Sequence, residues 1–171
     1  MPGQEGYANF SGSTDKIRLH ALRLVSGQDL RTELERLTSL AMIRAGFVLS
    51  AVGSLTRVAL RYANQKEPAV LEGHFEIVSL TGTLGQDGMH LHLSVSDDTG
   101  RTWGGPLVVG CAVFTTVALG VRAGVGLIFH RETGTRATFT EVVVGDAVGL
   151  IFHRETDPRT TFKELTIQRS E

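Results

Sequence analysis

The sequence predicts an α+β fold in which one main helix packs on an antiparallel sheet, and three observations carry that prediction. Residues 71–110 alternate apolar and polar side chains over two strand-length runs separated by glycine turns. Only one segment, 30–41, places apolar residues at helical spacing. Twenty glycines in 171 residues exceed the usual share of about 7% and favour a turn-rich, strand-rich chain. That length, with 42% hydrophobic residues, is enough for one well-cored domain and too short for two. We place the domain at 17–168, after a polar, glycine-rich lead-in over 1–16.

Taken in order, Ile17, Leu19 and Ala21 alternate with Arg18 and His20 as a first strand running to Leu24. Ser26 stands where a helix cap belongs, with Asp29 three residues on as the reciprocal carboxylate. Leu30, Leu34, Leu37 and Ala41 then form one stripe on a helix of about four turns, which Gly46 closes. The apolar run 47–53 predicts a central strand, and 55–62 alternates again with Arg57 and Arg61 in register. In the meander, Phe75 and Ile77 oppose Glu76 and Val78; Gly85 and Gly88 frame a turn. The return strand 89–95 places His90 and His92 on one face and Met89, Leu91, Leu93 and Val95 on the other. Asp97 to Gly100 turns the chain once more.

The tail carries a repeat. VGLIFHRET at 125–133 recurs letter for letter at 148–156, an offset of 23 residues. Two copies are too few and too alike for a solenoid, which leaves a recent local duplication or a gene-model or splicing artefact. Two identical strands compete for one slot, and the loser becomes an extra edge strand or a solvent-exposed flap.

Seventeen basic and 18 acidic residues give a net charge of −1, so nothing draws the chain globally toward nucleic acid or anionic membranes. Cys111 is alone, which excludes an intrachain disulfide and suits a small core residue. The uncharged run 107–121 has fifteen residues, short of the roughly 18 needed to span a bilayer. With no signal-like start, the expectation is a soluble, intracellular protein that does not engage membranes. No phosphate-binding loop, dinucleotide fingerprint, nucleophile elbow or paired metalloprotease histidines occur. No catalytic residue is assigned, and a non-enzymatic role is expected.

In this layout the wording resembles the plants and prokaryotes conserved (PPC) domain, over about 17–114 and 139–168. Its carriers are Gly27-Gln28-Asp29-Leu30, Leu71-Glu72-Gly73, Glu76 to Gly82, Asp87-Gly88-Met89-His90-Leu91-His92, Gly104-Gly105, Glu141 to Gly145 and Phe162 to Leu165. The resemblance implies a strongly bent antiparallel sheet with a helix against it, a homotrimer, and a DNA-associated or regulatory role as in stand-alone microbial members. It also implies a zinc ion held by the His-x-His pair and a third histidine after Gly-Gly. Here His90 and His92 match, but Pro106, which has no ligand atom, follows Gly104-Gly105. The third ligand is then His74 or comes from another protomer, placing the ion at a protomer junction as in a metal-dependent enzyme or small-molecule sensor. The other reading of the two histidines is a polar strand face bonded to backbone or water. No Arg-Gly-Arg-Pro peptide occurs, and Arg18, Arg23, Arg57 and Arg61 are the only basic stripe that adjacent strands could form for DNA. Trp103 either covers a cleft or fills the trimer seam.

Overall fold

The computed structural model describes residues 13–114, 140–156 and 163–170; the first copy of the repeat, with His130, lies outside them. The order is β1 (Ile17–Leu24), α1 (Leu30–Leu40), β2 (Gly46–Val52), β3 (Ser54–Leu60), β4 (Ala69–Gly85), β5 (Gly88–Ser96), β6 (Thr102–Pro106), β7 (Ala112–Val113), β8 (Thr140–Ala147), β9 (Leu150–Thr156) and β10 (Lys163–Arg169). The expected architecture is present: a curled antiparallel sheet with one helix.

Strands run β1-β8-β2-β4-β3-β7, with β5 on β4 and β6 on β5. The 17-residue β4 makes the curl possible. Its first half pairs with β3, its last residues pair with β2, and its second half pairs with β5. The register shifts on β4 at Gly73-His74, opposite Thr56, and at Val78, and such bulges increase the local twist. The curl carries β6 round until Arg61 N–H donates to the Pro106 carbonyl at 3.1 Å and Leu60 bridges Leu107. Pro106 is tolerated because β6 is an edge strand, where a missing donor breaks no ladder.

Inside the curl sit Leu24, Leu55, Val58, Leu60, Leu84, Leu91, Leu93, Val95, Leu107, Val113, Val142 and Val144, with Leu30 and Leu34 of α1 against them. Each such side chain contributes about 1.5–3 kcal/mol of burial. Cys111 belongs to this core; burial pushes its thiol up to about 11, so it packs rather than reacts.

Both ends of α1 differ from the sequence expectation. Ser26 and Gly27 form a turn, Gly27 at φ +85°, and Asp29 itself is the N-cap, accepting from Thr32 N–H at 2.8 Å. Asp29 Oδ2 also accepts from Gly110 N–H at 2.7 Å, tying the helix start to the loop before β7. The helix ends three turns on, not four, because Met42 adopts φ +51° and Ile43 N–H donates back to the Thr38 carbonyl at 2.9 Å. Gly46 instead opens β2. Asp29→Ala removes a cap and a long-range hydrogen bond together, so urea unfolding is expected to lose about 2–3 kcal/mol. Asp29→Asn, which keeps one acceptor oxygen, should recover at least about half of it.

A second, smaller sheet pairs β9 with β10. It packs Leu150, Phe152 and Ile167 against Ala45, Phe47 and Ala147.

Candidate metal pair and assembly face

Paired residues on neighbouring strands share a face, so the registers define the outer surface of the sheet. One row crosses five strands: Leu19 of β1, Gly145 of β8, Phe47 of β2, Thr83 of β4 and His90 of β5. A neighbouring row runs from Thr81 through His92 to Pro106. The face therefore grades from apolar at β1, β8 and β2 to hydroxyl- and imidazole-bearing at β4, β5 and β6.

At the polar end, alternation in β5 buries Leu91, Leu93 and Val95 and leaves His90 and His92 exposed, as the sequence predicted. Their Nε2 atoms are 3.0 Å apart and their ring centroids 5.0 Å. Two imidazoles on one tetrahedral zinc, at Zn–N of about 2.0–2.1 Å, would hold their nitrogens about 3.3 Å apart. The same spacing fits an N–H···N hydrogen bond between two neutral rings. Both sequence readings of the pair thus keep a structural basis.

His74 is not brought to them. It lies seven residues before Thr81 on β4, about 23 Å along a strand. There it stacks on Phe114 with centroids 4.5 Å apart, in a groove shared with Glu72, Asp98 and Trp103. Pro106 stands directly across from His92, so the Gly-Gly-x position does face the pair, but without a donor atom. Among the described residues no three His, Cys, Asp or Glu side chains gather around one point. Among the described residues of one chain the donor set at this point is two imidazoles, fewer than the three or four a zinc ion takes from protein.

Other expected features are rearranged. Arg18 and Arg23 lie on β1, and Arg57 and Arg61 lie on and just after β3; β8, β2 and β4 intervene, so no arginine stripe forms. Arg18 reaches Asp146 at 3.5 Å and Arg57 reaches Glu72 at 3.2 Å. Glu72 therefore pairs with Arg57 and not with His74. Glu76 sits between Ser54 and Ser96, where partial burial pushes its carboxyl above the ordinary range. The cost of charging it is felt at neutral pH and disappears as pH falls below that range. Trp103 meets Phe75 edge-on and packs against the core. His153 on β9 places its Nδ1 2.5 Å from Asp87 Oδ2.

The apolar end of the face is what sequence reasoning missed. In β1, Ile17 and Leu19 point outward, 55% and 43% exposed, while Leu24 points in and is 1% exposed. Leu49, Val52 and Val78 continue the patch, each more than half exposed. The signal was visible as alternation, but alternation alone does not say which face is covered.

Comparison with known proteins places this architecture. A family model described as the Plants and Prokaryotes Conserved (PCC) domain matches residues 11–123. A hypothetical protein of Salmonella enterica superposes with a TM-score of 0.77 at 34% identity, covering 93% of this chain and 99% of that one. The bifunctional protein GlmU of Synechococcus sp. strain JA-3-3Ab is 44% identical over 129 residues, 75% of this chain. The chain spans only 21% of that relative's length. The AT-hook motif nuclear-localized protein 13 of Arabidopsis thaliana is 39% identical over 67 residues, covering 37% of this chain and 15% of that protein. No helix among the described residues is long and apolar enough to cross a membrane.

Proposed function

The chain belongs to the Plants and Prokaryotes Conserved (PCC) domain family, and from that premise we propose that it is a non-enzymatic, self-associating domain with a DNA-associated, regulatory role. The outward-facing apolar side chains of β1 carry this reading. A strand whose patterned apolar face is open to water, while Arg18 and Asp146 occupy the side beneath, suits a surface that another copy covers. Threefold closure is the form the family resemblance favours. The DNA association follows the AT-hook relative. With no Arg-Gly-Arg-Pro peptide and no arginine stripe, it runs through a partner or through the assembly and not through one basic groove. Sedimentation velocity is expected to give three times the chain mass. A monomer at tens of micromolar would remove self-association. A salt titration of duplex binding should show at most weak affinity for the isolated protein. Tight binding with a steep salt dependence would refute the partner-mediated route.

A second reading is favoured by the 3.0 Å separation of the two Nε2 atoms. Copies meeting at a junction could complete a zinc site with a third donor, making the domain a metal-dependent enzyme or a sensor. Here His90 and His92 would hold the ion, and zinc would supply Lewis acidity to a bound small molecule. Under this reading, purified protein carries stoichiometric zinc and His90→Ala lowers its content about tenfold or more. Sub-stoichiometric zinc that is the same in His90→Ala rules it out.

A further inference from the structure

The facing surfaces of the two sheets part at one end and leave an open mouth there. Leu150 and Phe152 of β9 and Ile167 of β10 close on Phe47 of the large sheet. Two residues beyond Phe152, alternation puts Arg154 on the same inner face, and Leu165 and Lys163 share that face on β10. Apolar packing gives way to cations at this point. Arg154 Nη2 reaches across to the large sheet and donates to Thr83 Oγ1 at 3.3 Å, while its Nη1 donates to the Lys163 carbonyl at 3.3 Å. Thr83 is paired with His90 and Thr81 with His92; side chains so paired stand about 4.5–5.5 Å apart at Cβ. Lys163 is exposed and lies diagonal to Arg154 in the ladder, about 7–8 Å away. Glu155 and His153 alternate to the reverse face, where His153 meets Asp87. A guanidinium and an ammonium of the small sheet thus border the same opening as the hydroxyls and imidazoles of the large one.

We propose that this mouth binds the phosphate group of a small phosphorylated molecule, held by Arg154 and Lys163 from one sheet and by Thr83 and His90 from the other. A guanidinium presents its N–H donors in a planar fork that matches phosphate oxygens, and an ammonium adds a second, compact charge. The threonine hydroxyl and the imidazole N–H donate from a different direction. A phosphate group has three terminal oxygens and a charge of about −1.5 to −2, so donors from two sheets can engage it together. A carboxylate, with one charge and two oxygens in one plane, leaves part of that set unused. The donors stand on paired strands, which hold them in place better than loops do. Duplex DNA is the poorer fit, because its affinity grows with the number of phosphates neutralised, and Arg154 and Lys163 bracket a single opening. The inference needs neither zinc at His90 and His92 nor a second copy of the chain.

Inorganic phosphate, titrated at constant ionic strength into full-length protein treated with EDTA, tests it by NMR. The backbone amides of Thr83 and Arg154 are expected to shift saturably. Arg154→Gln and Lys163→Gln should each weaken binding about tenfold or more. Lys66→Gln, in the loop before β4, should leave it within about twofold. Should Arg154→Gln unfold the chain by losing its bonds to Thr83 and Lys163, Lys163→Gln decides alone, since that side chain is exposed. Acetate is expected to bind at least about tenfold more weakly than phosphate, and a short DNA duplex should fail to displace phosphate. No saturable shift, undiminished binding in the variants, or binding that appears only when zinc is added back overturns the site. Acetate binding as tightly as phosphate, or a duplex displacing it, overturns a small phosphorylated molecule as the ligand.

Discussion

Gly82→Ala is expected to cost more than about 3 kcal/mol and lower the melting temperature by about 6–12 °C or more. Gly82 sits on β4 opposite Leu91, at φ +134°. A Cβ built there would lie 2.0 Å from the His90 carbonyl oxygen and 2.9 Å from the Leu91 Cα. Both are backbone atoms, so no rotamer change relieves the clash, and β5 must move bodily away from β4. Moving β5 pulls Leu91, Leu93 and Val95 from the core and carries His90 and His92 together away from Thr83 and Thr81 of β4. Stability should therefore fall with the loss of those three buried side chains. Gly88→Ala and Gly100→Ala are the controls. Their φ values of +121° and +82° are also unfavourable, but nothing lies within 4 Å of the added carbon. They should cost only the backbone strain, about 1–2 kcal/mol. Equal losses at all three positions in urea unfolding would mean that the close approach of β4 and β5 is not what fixes this glycine.

That contrast also marks what the sequence could convey. Glycines at 82, 88 and 100 look alike as letters, and only the register separates the one against a backbone from the two over open space. Periodicity gave the strands and the side of β5 that carries the histidines, because inward Leu91 and Leu93 and outward His90 and His92 differ in polarity. It misplaced the helix cap, since Ser26 and Asp29 are both good capping residues. The choice depended on Asp29 also reaching Gly110, 81 positions away. It also brought His74 toward the pair, because adjacency of strands was legible and the length and curl of β4 were not. Pairing partners of Arg57 and His153 were illegible for the same reason. Each is set by a register that bulges shift, and a bulge leaves little trace in composition.

Leu19→Asp combined with Val52→Asp is expected to abolish self-association while leaving the monomer folded. Both side chains point away from the core, 43% and 51% exposed in the single chain, so neither charge is buried in the monomer and unfolding should change by less than about 1 kcal/mol. Once another copy covers them, each carboxylate enters a seam that holds Ile17, Leu49 and Val78. Desolvating an unpaired charge costs several kcal/mol, and in a closed ring that cost recurs at every interface. The association constant should therefore fall by at least about a thousandfold, measured by sedimentation equilibrium. Ser79→Asp with Ser94→Asp, on the polar half of the same outer face, is the matched control. Equal charge placed there should alter association about tenfold at most, if the apolar half forms the seam. The reverse pattern, with the serine pair disruptive and the apolar pair silent, would move the junction to the histidine end. A junction there would set His90 and His92 against a neighbouring copy, where the missing ligand of the zinc reading has to be found.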